Sequence, residues 1–100
     1  MRLLIAVALI ALVGCKERKA GAKTIALLLP EAKTARYETQ DRPLFEAKVK
    51  ALCPGCEVVS SNAGQDAARQ QAQAEAALTR GAKVLVLDAV DGTSAKAIAK

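Results

Sequence analysis

The sequence predicts an α/β fold with three parallel strands in the order βαβαβα. Three observations predict it. Thr24 to Leu29 is a short, continuous apolar run of the kind that suits a strand buried on both faces, and Lys83 to Asp88 is a second clear strand-like segment. Stretches rich in helix formers separate the strand-like segments. Turn residues, Pro54-Gly55 and Gly81, stand where the first two helices would have to end. Alternating strands and helices of this length imply right-handed crossovers and a parallel sheet.

The chain opens on "MRLLIAVALIALVGC". One cation, Arg2, precedes eleven apolar residues, Leu3 to Val13. Eleven is too few for a helix rising ~1.5 Å per residue to cross a ~30 Å hydrocarbon core. The run suits a signal-peptide core instead, spanning residues 1–14. Leu12-Val13-Gly14-Cys15 resembles the lipobox of bacterial lipoproteins, in which the cysteine becomes the lipidated first residue. Cys15 is therefore the expected lipidation site, and residues 15–23 the flexible, charged tether behind it.

The folded part is expected over residues 24–100. "TIALLL" is its first strand. Asp41 is placed to cap the first helix, Pro43 suits its first turn, and Phe45, Val49 and Leu52 form one face. "CPGC" follows, with Cys53 and Cys56 expected to be disulfide-bonded outside the cytoplasm. A redox site of the thioredoxin kind places its cysteines at a helix start, where the dipole lowers a thiol pKa. Here the pair follows the helix, at the negative end of the dipole, which favours a structural bond. "CEVVS" is a weaker second strand. The second helix runs from about Asp66 to Arg80, with Gly81 as a left-handed cap. Lys83 to Asp88 is the third strand, and a third helix begins in "DGTSAKAIAK" with Thr93 or Ser94 as its cap.

Composition narrows the function. The chain has no histidine and no tryptophan, and its aromatic content is 2%. That removes a histidine-dependent triad and a histidine metal site, and no metal or cofactor is expected. The net charge of +5 falls to +4 without residues 1–14, whose one charge is Arg2. The cations are scattered without interleaved aromatics, which argues against nucleic acid as a partner.

Two stretches carry a more specific signal: "LLLPEAKTARYETQDR" and "QAEAALTRGAKVLVLDAVDG". With the lipobox and linker ahead of them, they resemble the N-terminus of the type I periplasmic sugar-binding proteins. The similarity is to the xylose-type and ribose-type lipoproteins of ABC importers, and it covers essentially the whole chain. It implies an N-terminal lobe with a doubly wound sheet, in which ligand sits beyond the strand C-termini at the switch point between strands one and three. The loops concerned would be Pro30–Gln40 and Asp88–Gly92. The resemblance further implies an arginine followed by an aromatic residue as sugar contacts, carried here to Arg36 and Tyr37. A planar cation meets hydroxyls and a ring covers the C–H face of a sugar. The family usually has tryptophan at the second place, so Tyr37 is a departure. Asp88 and Lys33 complete the candidate ligand set. The alternatives are surface pairing of Arg36 with Glu31 or Glu38, a lid role for Tyr37, a turn or cap role for Asp88, and a solvated Lys33. Arg42 is expected to brace the helix start and Asp91 to make a turn into Gly92.

The resemblance implies no enzyme activity. The expected partners are a monosaccharide, an ABC permease and its ATPase, and a bacterial membrane, outside the cytoplasm, through the lipid anchor. A sugar-sensing module for a membrane receptor is the alternative role. Three strands and a helix reaching Lys100 make a small core with a bare edge, so the chain is also expected to be the front of a longer protein or a nonfunctional truncation.

Overall fold

The computed structural model describes residues 22–100. The signal peptide, the lipobox with Cys15, and the tether as far as residue 21 lie outside the described residues. The element order is β1 (Lys23–Leu29), a π-helical turn (Tyr37–Asp41), α1 (Arg42–Leu52), β2 (Cys56–Asn62), α2 (Ala67–Thr79), β3 (Ala82–Leu87) and α3 (Gly92–Ala99). Lys23, expected in the tether, is the first residue of the sheet. The expected βαβαβα order holds.

The strands form one parallel sheet in the order β2-β1-β3. β1 is therefore central and receives hydrogen bonds on both sides. That explains the apolar character of its second half, where from Ala26 to Leu29 neither face meets water. Ala26, Leu27, Leu28 and Leu29 are all buried. Successive side chains point to opposite faces. Ala26 and Leu28 pack with Ala74 of α2 and Ala82, flanked by Ala77, Leu85, Leu87 and Ile98. The opposite face carries α1, as the bond from Ser60 Oγ to Glu46 Oε1 shows (3.2 Å). A shift in register between Thr24 and Ile25 leaves Lys83 without a partner on β1 and returns Leu85 to the α2 face beside Ala26.

α2 begins and ends as the sequence reading requires. Asp66 accepts a hydrogen bond from the Arg69 amide (3.0 Å), and Gly81 adopts φ +94° past the end of the helix. The starts of the other two helices differ from expectation. Asp41 is not a cap: it is itself helical, because the chain enters α1 through the π-helical turn. For α3 the cap is Asp91, whose carboxylate accepts from the Ser94 amide at 2.7 Å, rather than Thr93 or Ser94. The expected face of α1 is also incomplete. Phe45 and Val49 are half-buried, but Leu52 is 73% exposed. Cys53 and Cys56 are disulfide-bonded, with Cα atoms 5.3 Å apart, and join the end of α1 to the first residue of β2. Among the described residues no helix is long and apolar enough to cross a membrane.

Candidate functional site

A parallel sheet sends all its strands out at one edge, so the loops after β1, β2 and β3 gather there. Pro30 follows β1, and Glu31 then folds its carboxylate back onto the chain. It accepts from the amides of Lys33 (2.6 Å) and Thr34 (3.0 Å). Bonding to Thr34 holds this carboxyl below its usual pKa, with Lys33 adding a smaller electrostatic pull. The turn ends as Tyr37 N–H donates to the Thr34 carbonyl (3.3 Å). From Ala35 the backbone is helical, although the whole of Pro30–Gln40 was expected to be loop.

The π-helical turn sets the geometry of Arg36. A π turn brings residues five apart onto one side. Arg36 and Asp41 have that spacing, and Arg36 Nε and Nη2 both donate to Asp41 Oδ2, at 3.0 and 2.9 Å. The guanidinium carbon lies 5.5 Å from the centre of the Tyr37 ring. The hydrogen bond to Asp41 raises the arginine's pKa, and the charge of Asp88 on the neighbouring loop contributes a smaller push in the same direction. Arg36 is 64% exposed, so water weakens these interactions and the pair leaves further N–H groups facing outward. Arg42 braces the turn from below, as expected, pairing with Glu46 at 2.8 Å and Glu38 at 3.3 Å.

The loop after β2 is tied to the first loop by Asn62. Its Nδ2 donates to the Glu31 carbonyl (2.9 Å) and to Glu38 Oε1 (3.0 Å), while its Oδ1 accepts from Gly64 N–H (2.9 Å). Gly64 and Gln65 follow with φ +57° and +68°. The glycine takes that conformation freely, whereas Gln65 is strained there. Its amide donates to the Pro30 carbonyl (2.8 Å), and the side chain is exposed at the rim.

The loop after β3 begins with Asp88, whose amide donates to the Leu28 carbonyl (3.0 Å). Gln70, wholly buried in α2, holds the next turn: its Nε2 donates to the Asp88 carbonyl and its Oε1 accepts from the Val90 amide, both at 2.9 Å. Among the described residues no group of three or more histidines, cysteines, aspartates or glutamates is placed to hold a metal ion. A cavity of about 180 Å³ lies elsewhere, between α2 and the β1–β2 side of the sheet, lined by Thr24, Val59, Ser61, Gln73, Ala77 and Arg80 among others. It lies beneath the helix rather than among the loops.

The periplasmic binding protein domain, as a family model, matches residues 25–100. The chain belongs to the periplasmic binding proteins. No curated protein and no solved structure matches it. The family binds solutes outside the cytoplasm and is generally not enzymatic.

In this periplasmic binding protein, three of the four candidate residues stand on loops at the same edge of the sheet. Arg36 and Tyr37 are in contact, and Asp88 begins the loop after β3, the strand beside β1. Lys33 stands apart: it is exposed, and its electrostatic partner is Glu31. The surface pairing weighed for Arg36 involves Asp41 instead of Glu31 or Glu38. Asn62, Gln65 and Gln70 were missed by sequence reading. Asn62 and Gly64 sit in "SSNAGQD", whose turn composition marks a loop but does not say which loop it holds. Gln70 lies in a run of polar and alanine residues that reads as a solvated helix face.

Proposed function

We propose that this periplasmic binding protein captures a monosaccharide and delivers it to an ABC permease and its ATPase. The observation that carries the reading is Arg36 beside the Tyr37 ring at the carboxyl edge of the sheet, with the charge of Asp88 on the adjoining loop. A sugar offers hydroxyls that donate and accept, and a C–H face. The guanidinium donates to hydroxyl oxygens, the Asp88 carboxylate accepts from hydroxyls, and the phenol ring covers the C–H face. The pairing with Asp41 fixes the guanidinium before ligand arrives, so less side-chain freedom is lost on binding. The sequence resemblance points to xylose-type or ribose-type sugars, and Cys15 supplies the lipid anchor that keeps the receptor beside its permease.

The test is calorimetric titration of the full-length protein with a panel of pentoses and hexoses. Saturable binding of one of them, lost on removing Arg36, supports the reading. Binding of amino acids or other non-sugar solutes, with no sugar bound, overturns it.

A further inference from the structure

We infer that Gln70 is a positioning residue for solute binding, setting the direction of Asp88 and with it the discrimination between sugar epimers. The inference rests on the proposed sugar site. Gln70 is fully buried in α2, one of the three largest side chains with that status alongside Leu28 and Leu29. A buried carboxamide is unfavourable unless both its ends are hydrogen-bonded, and here both ends bond to the same short turn. Nε2 donates to the Asp88 carbonyl and Oε1 accepts from the Val90 amide, each at 2.9 Å.

The position of these bonds matters more than their number. Asp88 is the first residue beyond β3, where regular pairing with β1 stops after the bond from its amide to Leu28. From there the backbone would be free to take several courses. Gln70 supplies, from the side, the donor and acceptor that a neighbouring strand would otherwise provide. Its surroundings do not require a polar group, since Ala74 one turn along α2 is buried among apolar neighbours. An aliphatic residue of the same length would fill the space but leave the Asp88 carbonyl and the Val90 amide without partners. The buried amide thus specifies one course for the turn. Asp88 leaves the sheet beside the end of β1, the strand that leads into the Arg36 turn, so fixing its peptide fixes one side of the site relative to the other. Epimers differ only in where one hydroxyl points, and a site that bonds that hydroxyl tells them apart by geometry.

The experiment compares the full chain with Gln70→Met, and uses Ala74→Gly in the same helix as a variant of lowered stability that leaves the Gln70 bonds in place. Amide hydrogen exchange is read at Val90 and at Leu28, and affinities for D-xylose and D-ribose by calorimetry. Gln70→Met should speed exchange at Val90 by about tenfold beyond any change at Leu28, as loss of a local bond requires. It should also shift the xylose-to-ribose affinity ratio, which Ala74→Gly leaves alone. Exchange at Val90 that merely follows Leu28 overturns the inference, as does an unchanged ratio once Val90 is loosened. If the wild-type chain binds neither sugar, the sugar reading fails, whereas exchange at Val90 still decides whether Gln70 holds the turn.

Discussion

Single residues show where sequence reading reaches its limit. Arg36 and Tyr37 were legible as a pair, because a lone tyrosine beside an arginine after a buried strand is an unusual placement. Their orientation was not. Asp41 was expected to cap a helix and instead holds Arg36, because one π turn moves the helix start upstream and brings a residue five places away onto the guanidinium. No periodicity in the sequence announces that turn. Replacing Arg36 with alanine should weaken sugar binding by roughly ten- to a hundredfold, the scale of a hydrogen bond to a charged group. Calorimetry checks it, and unchanged affinity removes Arg36 from the site. Asp91 gives a prediction of a different kind. Its bond to Ser94 depresses its pKa below the usual 3.8, so its contribution to stability is present above that value and is lost as pH falls through the depressed one. Asp91→Asn keeps the acceptor without the titration. The difference in Tm between the wild-type chain and this variant should therefore change between about pH 6 and pH 2, in the sense of the wild type losing ground in acid. A constant difference would mean that the carboxylate charge has no part in the cap.

At the scale of elements, length and type were readable, and so were the boundaries that rest on side-chain chemistry. Asp66 and Gly81 bracket α2 as expected, because each solves a local backbone problem. α1 was read less well. Its apolar face implied that Leu52 would be covered, but burial is decided by neighbours that a helical pattern cannot name. What holds the end of α1 is covalent. The Cys53–Cys56 bond spans the turn into β2, where the Cys56 amide also donates to the Cys53 carbonyl at 2.9 Å. Replacing both cysteines with serine should lower stability by about 2 kcal/mol, the chain-entropy estimate for so short a loop. Urea denaturation measures it, and the sheet should survive. A variant that loses its far-ultraviolet circular dichroism at low denaturant would show that the bond does more than close a turn.

For the molecule as a whole, the parallel order of three strands was legible from alternation alone, and the sheet order β2-β1-β3 is the one a doubly wound lobe implies. The contacts between loops were not legible, because they join residues distant in sequence. Asn62 reaches back to Glu31 and Glu38, and Gln70 reaches forward to Asp88 and Val90. These are side chains of types that composition assigns to water. The proposed anchor belongs to this scale too, since it decides where the binding lobe spends its time. Cys15→Ser should release the protein from the membrane fraction, because acyl chains contribute about 0.8 kcal/mol per buried methylene and one substitution removes them all. A mutant that still sediments with membranes would overturn the lipobox reading.

The central place of β1 has a consequence for the order of events during folding. The strand synthesised first is the one that needs neighbours on both sides, and both are made later, with Ala82–Leu87 last of all. Until β2 is made Ile25 to Leu29 has no strand beside it, and until β3 is made one of its edges stays open. Its closing contacts are among the most distant in sequence in the described chain, and loops of that size close slowly. Productive folding therefore depends on a waiting interval in which this apolar segment stays apart from its own kind. A chaperone that binds short extended apolar peptides would find its preferred target there, and nowhere so exposed once the sheet is complete.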